Sequence, residues 1–150
     1  MSLKQRINED MKTAMRAKDQ ARLESIRMLM AAIQRREVDE RITLDDIQIM
    51  AVIEKMIKQS RDAVDQFAKG GRQDLVDKEN RDIAILTAYL PEPLSEAEID
   101  KLIEAAIAEA GATSVKDMGK VVASLKPKLQ GRADMGKVSG KVKQRLAALS

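Results

Sequence analysis

The sequence predicts an all-α protein, with an N-terminal four-helix part followed by a small three-helix domain. Only 1% of the residues are aromatic, and the apolar residues are mainly Ala, Leu, Ile and Val with nine Met. This composition favours helices, and it is poor in the aromatic residues that are common in sheets. Apolar residues also recur every three or four positions, and no segment shows the alternation that is typical of a strand.

Four amphipathic helices are predicted before residue 91. The first is marked by a four-residue repeat of apolar side chains, at Leu3, Ile7, Met11 and Met15. The third is expected to begin at a capping box formed by Thr43 and Asp46 and to end at Gly70 and Gly71. Residues 1–90 are therefore predicted to form a helical N-terminal domain.

Two prolines separate this part from the rest of the chain. Pro91 and Pro93 prevent a continuous helix and hold the backbone extended. Residues 91–93 are thus predicted to be a hinge, and residues 94–150 to be a three-helix domain. Ser95 and Glu98 have the spacing of a capping box, which predicts the start of its first helix.

The last two helices are predicted from further caps and turns. Ser114 and Asp117 form another capping box, and Asp134 is expected to cap the final helix. Gly119, Pro127, Gly131 and Asp134 are the predicted structural-turn residues, with Pro127 and Gly131 ending the middle helix.

The segment GRADMGKVSG, residues 131–140, has the glycine and lysine spacing of a phosphate-binding P-loop. A P-loop requires a preceding strand and a Ser or Thr after the lysine, but here Val138 follows Lys137 after a helix end. We therefore expect no nucleotide cofactor. Gly119, Gly136 and Gly140 are expected to allow close approach, either of a neighbouring helix or of a ligand.

Charge is distributed unevenly along the chain. Residues 1–93 carry 17 basic and 17 acidic side chains, whereas residues 94–115 carry a net charge of −4 and residues 116–150 a net charge of +7. A basic segment of this density favours polyanion binding, through contacts to the phosphates of a nucleic acid. The predicted RNA-binding residues are Lys116, Lys120, Lys126, Lys128, Arg132, Lys137, Lys141 and Arg145.

Composition argues against several other functions. The chain contains no Cys and no His, so thiolate chemistry, most zinc sites and the commonest general base are absent. Ser95 and Ser114 are better explained as helix caps than as nucleophiles, and we predict no catalytic residue, no metal site and no cofactor. No apolar run is long enough to span a membrane, and the first residues do not form a targeting signal. These features predict a cytoplasmic protein.

Three segments together resemble the GatB/YqeY family. They are AMRAKDQARLESIRMLMAAIQ, GRQDLVDKENRDIAILTAYLPEPLSEAEI and DMGKVVASLKPKLQGRADMGKVSGKVKQ, which cover nearly the whole chain. In the third segment, DMGKV, Pro127 and GRAD occur at matching spacing. The resemblance is to the stand-alone YqeY-like proteins and to the tail domain of the GatB subunit of the tRNA-dependent amidotransferase.

The resemblance implies that residues 94–150 engage tRNA. The matching positions are Gly119, Lys120, Pro127, Gly131, Arg132, Ala133, Asp134 and the lysines of the last helix. The family is associated with glutamine-dependent carbon–nitrogen ligase activity. Nothing in this chain resembles the catalytic portions of that enzyme, so we expect no transamidation by the chain alone. The leading hypothesis is a tRNA-binding accessory protein, with residues 1–90 available to a protein partner. The alternative is a helical protein-interaction adaptor without an RNA role.

Overall fold

The computed structural model describes residues 1–149, and all regular structure within them is helical. The α-helices are α1 (Leu3–Arg16), α2 (Gln20–Glu40), α3 (Asp46–Lys69), α4 (Gln73–Thr87), α5 (Glu96–Ala110), α6 (Met118–Leu129) and α7 (Met135–Leu149), and a 3₁₀ turn, Val115–Asp117, precedes α6. The predicted all-α class is confirmed.

The chain divides into two compact units, Met1–Leu90 and a second that begins at Pro91. They are called the N-terminal unit and the C-terminal unit below. Helices α1 to α4 belong to the first, and α5 to α7 belong to the second. A four-helix domain hinged to a three-helix domain stays a prediction.

The N-terminal unit is built around an aliphatic core. Ile26, Ile49 and Ile53 are completely buried in it, and each such side chain stabilises the fold by about 1.5–3 kcal/mol relative to an exposed one. Helices α3 and α4 pack against each other across a short glycine turn. Gly71 in that turn has a φ of +69°, which glycine adopts without strain.

The start of α3 differs from the prediction. Asp45, and not Thr43, is the N-cap: its carboxylate accepts a hydrogen bond from Gln48 N at 2.8 Å, and the Gln48 side chain accepts one from Asp45 N at 3.0 Å. Asp46 instead accepts a hydrogen bond from Leu3 N at 3.0 Å. The carboxylate assigned to the capping box therefore binds the start of α1.

Tyr89 fixes the end of the N-terminal unit. Its ring is buried, its hydroxyl donates to Asp10 Oδ2 at 2.6 Å, and the Arg6 guanidinium lies 4.9 Å from the ring centre. Burial, followed by the hydrogen bond to Asp10, raises the pKa of Tyr89. The hydroxyl therefore remains a hydrogen-bond donor throughout the physiological pH range.

The C-terminal unit has its own core. Side chains from all three of its α-helices are fully buried in it, among them Ile103, Val121, Leu125, Val142 and Leu146. The four-residue spacing of Val138, Val142 and Leu146 places them on one face of α7. This packing determines which faces of α6 and α7 are left to solvent.

Pro127 does not end α6. The helix continues to Leu129, and Pro127 lies inside its last turn. A proline there removes one hydrogen bond of the helix, but Gln130 N still donates to Lys126 O at 2.9 Å. The turn that follows contains Gly131, whose φ of +83° is a conformation that favours glycine.

The expectation of close helix packing at the helical glycines is wrong. A Cβ added to Gly119 or Gly140 would have no neighbouring atom within 4 Å outside its own helix. A Cβ on Gly136 would lie 3.2 Å from Asp134 Oδ1, an atom of the cap of the same helix. Spacing alone does not reveal which face of a helix a glycine occupies, and these glycines face away from the core.

Candidate nucleic-acid interface

Asp134 caps α7 as the sequence predicts. Its Oδ1 accepts hydrogen bonds from Gly136 N at 2.9 Å and from Lys137 N at 3.3 Å. These are amide groups that a bound phosphate would use at a helix N-terminus. The carboxylate already satisfies them, so the geometry opposes a nucleotide phosphate at this point and agrees with the argument against a P-loop.

Arg132 connects the turn between α6 and α7 to the segment before α5. Its Nε donates to Glu92 O at 3.1 Å, and its own carbonyl accepts from Leu94 N at 2.9 Å. Arg132 thus holds the proline segment in place, and its guanidinium is partly committed to the fold of the C-terminal unit.

Lys141 and Arg145 are paired with carboxylates of α5. Lys141 Nζ lies 3.1 Å from Asp100 Oδ1 and also contacts Glu96, while Arg145 contacts Glu104 and lies 3.5 Å from Asp100. The hydrogen bonds that Lys141 donates to Glu96 and Asp100 raise the pKa of Lys141. The acidic segment and part of the basic segment therefore neutralise each other.

The five other predicted lysines are exposed, and none of them has an ion pair within residues 1–149. They are Lys116, Lys120, Lys126, Lys128 and Lys137. We call them the unpaired lysines. Lys120 and Lys128 are eight residues apart and share a side of α6. Their RNA-binding role stays a prediction.

Lys143 of α7 was not among the predicted RNA-binding residues. A lysine in the second half of a helix is explained by the helix dipole, although the family resemblance counts the lysines of the last helix among its matching positions. In the structure Lys143 is exposed and has no ion pair in the described part of the chain. It is therefore as available to an anion as the unpaired lysines.

The carboxylate of Asp117 organises the start of the helix that carries Lys120. It accepts hydrogen bonds from Thr113 N at 3.0 Å and Ser114 N at 3.4 Å. These bonds, and then the charge of Lys120, lower the pKa of Asp117. The carboxylate is ionised at neutral pH and offsets part of the positive charge near Lys120.

The described residues contain neither a metal-binding cluster nor a membrane-spanning helix. Nowhere in residues 1–149 do three His, Cys, Asp or Glu side chains come together so that they could hold a metal ion. Every helix in the same range is too short or too polar to cross a bilayer.

The fold and the surface define a small all-helical protein with a basic segment at residues 116–150, in which some cations are paired and others have no ion pair in the described chain. The chain belongs to the YqeY family: the family model described as "Yqey-like protein" matches residues 4–146. The predicted family relationship is confirmed.

Curated relatives carry the name "Altered inheritance of mitochondria protein 41, mitochondrial". The protein from Pyrenophora tritici-repentis is 34% identical over 149 residues, which cover 95% of this chain and 80% of the relative. The protein from Eremothecium gossypii is 37% identical over 61% of this chain and 51% of its own length. The protein from Lachancea thermotolerans is 37% identical over 69% of this chain and 57% of its own length. The matches to the last two thus span only a little over half of those relatives.

The predicted cytoplasmic location is wrong, because the curated relatives are named as mitochondrial proteins. The expectation rested partly on the first residues of the chain. Residues 3–16 form α1, and Leu3, Ile7 and Ala14 are buried in the core. The apolar spacing of that segment is therefore explained by packing in the core and does not indicate the compartment.

Proposed function

We propose that the chain is a tRNA-binding accessory protein that contacts RNA phosphates through the unpaired lysines of its C-terminal unit. The observation that carries the proposal is the division among the basic residues: five predicted lysines are exposed without an ion pair in the described chain, whereas Lys141 and Arg145 are held by α5. Exposed ammonium groups bind phosphates by releasing the counterions of the nucleic acid. Membership of the YqeY family supports tRNA as the polyanion, through the resemblance to the GatB tail.

Recognition of the backbone is favoured over recognition of bases. Phe67 and Tyr89, the two aromatic residues of the chain, both belong to the N-terminal unit, so the C-terminal unit has no platform on which unpaired bases could stack. Contacts to phosphates orient a nucleic acid but carry no sequence information. The chain is thus proposed to hold tRNA by charge, and any chemistry on the RNA is proposed to reside in another protein.

The test is the affinity for a tRNA transcript, measured by fluorescence anisotropy at several salt concentrations. The proposal expects affinity to fall steeply with salt, by a slope of about one for each phosphate contacted. An RNA duplex of unrelated sequence should bind with similar salt dependence. Absent binding, or binding that salt does not weaken, contradicts the proposal.

The alternative function is a helical protein-interaction adaptor without an RNA role. Apolar side chains on the surface of the N-terminal unit favour it: Val38 is 67% exposed, Met28 54% and Met15 49%. Methionine is enriched at protein–protein interfaces, so Met28 and Met15 are candidate contacts for a protein partner. Recovery of a stable protein partner after nuclease treatment, by a chain that binds no tRNA, would favour the adaptor.

A further inference from the structure

A cavity of about 180 Å³ lies where α2, α3 and α4 meet in the N-terminal unit. Its lining combines hydrogen-bonding and apolar side chains, including Ser25 and Met28 from α2, Met56 and Ser60 from α3, and Glu79 and Asp82 from α4. A concave site with a few polar groups that converge on an apolar lining is typical of a small-ligand pocket.

Asp82 is fixed at the wall of this cavity. Its side chain is only 14% exposed, and its Oδ1 accepts a hydrogen bond from Ser25, a hydroxyl-bearing residue that is itself 3% exposed. The other oxygen lies 3.5 Å from Lys78 Nζ, a long contact to a half-exposed lysine. Ser25 and the helix hold the carboxylate in position without filling the cavity.

Glu79 supplies a second carboxylate from the preceding turn of α4. It is partly buried and lines the cavity, yet it has no hydrogen bond or ion pair within residues 1–149. Of the two carboxylates, Asp82 has an ion pair, with Lys78, and Glu79 has none within residues 1–149. A partly desolvated carboxylate gains more from a cationic partner than an exposed one does.

Met28 and Met56 provide the apolar part of the lining. Met56 is partly buried, and Met28 is more than half exposed at the rim. Methionine side chains are flexible and adapt to an irregular or elongated apolar group. They can therefore cover the methylene chain of a ligand whose charged end reaches the carboxylates.

We propose that this cavity binds an ammonium or guanidinium group carried on an aliphatic stem. The cation would pair with Glu79 and Asp82, and Ser60 would offer an additional hydroxyl acceptor. The same chemistry is available from two sources, a free aliphatic amine or the side chain of a lysine or arginine on another protein. This site lies in the N-terminal unit and is independent of the proposed RNA contacts of the C-terminal unit.

The probe is putrescine, added at constant ionic strength to the full chain labelled with carbon-13 at the methionine methyl groups. Saturable shifts of the Met28 and Met56 signals are expected, while Met118 and Met135 of the C-terminal unit stay unchanged. Butanol, which has an aliphatic chain but no charge, is expected to bind at least about tenfold more weakly. Nα-acetyl-lysine methylamide tests the protein-side-chain source with the same reporters.

Glu79→Gln preserves the shape of the side chain and removes its charge. It is expected to weaken putrescine binding about tenfold or more, because the partly buried ion pair is lost. Asp65→Asn is the matched control, since Asp65 is exposed on α3, lies outside the cavity and has no ion pair in the described chain. Methionine methyl spectra that keep the free-protein pattern show that each variant is folded.

Each outcome decides the proposal. Charge-dependent binding that Glu79→Gln weakens supports it, and the tighter of putrescine and the lysine derivative identifies the source. Absence of shifts with both amines, equal binding of butanol, or equal effects of Glu79→Gln and Asp65→Asn overturns it. Binding of tRNA does not enter this readout, so failure here leaves the function proposed above intact.

Discussion

Lys141 Nζ of α7 lies 3.1 Å from Asp100 Oδ1 of α5, a contact between residues 41 positions apart in the chain. Glu96 and Glu104 lie four residues before and after Asp100. Glu96 contacts Lys141, and Glu104 contacts Arg145. Two of the basic residues of α7, Lys141 and Arg145, therefore take part in the contact between α5 and α7. The unpaired lysines lie outside that contact and have no ion pair in the described chain, so their charge is more available to a ligand than that of Lys141 or Arg145.

Lys141→Met is expected to lower the Tm slightly at low salt, because it removes the ion pairs with Glu96 and Asp100. The difference from the unmodified chain should shrink as NaCl approaches about 1 M, where screening is nearly complete. Thermal melts followed by circular dichroism measure both effects. Lys143→Met is the control, since Lys143 is exposed on the same helix without an ion pair in the described chain. Equal effects of the two changes would refute the structural role of Lys141.

The raised pKa of Lys141 determines how its contribution to the stability of the folded protein depends on pH. A raised pKa in the folded state means that the stabilisation is fully present below the ordinary value of 10.5 and is lost as the pH rises through the higher folded value. The Tm difference between Lys141→Met and the unmodified chain should therefore be constant near neutral pH. A difference that disappears between pH 6 and 8 would contradict this assignment.

Asp117→Asn is expected to destabilise the chain at neutral pH, because the hydrogen bonds from Thr113 N and Ser114 N favour the ionised carboxylate. The pKa of Asp117 is lowered in the folded state, so its contribution is present above the ordinary value of 3.8 and is lost as the pH falls through the lower folded value. Urea unfolding at neutral and strongly acidic pH should show the difference from the unmodified chain shrinking with acid. Glu109→Gln, which also removes an exposed carboxylate but in the last turn of α5, should cause no loss of stability at neutral pH.

Gly140→Ala is expected to increase the free energy of unfolding by about 1 kcal/mol, because alanine is the better helix former and a Cβ there meets no neighbouring side chain or helix. Gly111→Ala is the opposite control. Gly111 ends α5 with a φ of +62°, so alanine there should cost about 1 kcal/mol. Urea titration measures both. Destabilisation by Gly140→Ala would restore the close-packing interpretation of this glycine.

The sequence predicted the features that depend on residues close together in the chain. The caps at Ser95 and Asp134 follow from side chains that bond to amides two or three residues away, and the stripe of Val138, Val142 and Leu146 follows from helical period alone. Asp46 was misassigned because its actual partner is Leu3 N, 43 positions away.

The candidate site was likewise predicted only in part, because several of its contacts join residues that are far apart in the chain. The density of lysines in residues 116–150 is visible in the sequence, whereas the pairing of Lys141 and Arg145 with α5 depends on tertiary packing. Arg132 likewise acquires its structural partner, Glu92, from a segment 40 residues away. The cavity beside Glu79 has no sequence signal, because its lining comes from three separate helices.

The most direct test compares two double variants that each remove two positive charges. Lys120→Ser with Lys128→Ser changes unpaired lysines of α6, and Lys141→Ser with Arg145→Ser changes the residues held by α5. Affinity for a tRNA transcript is measured by fluorescence anisotropy across a salt series, with circular dichroism as the check on folding. The first variant should weaken binding about tenfold or more and reduce the salt slope by about two, and the second should do so less. Equal or greater loss in the second variant would contradict the claim that the unpaired lysines bind the RNA.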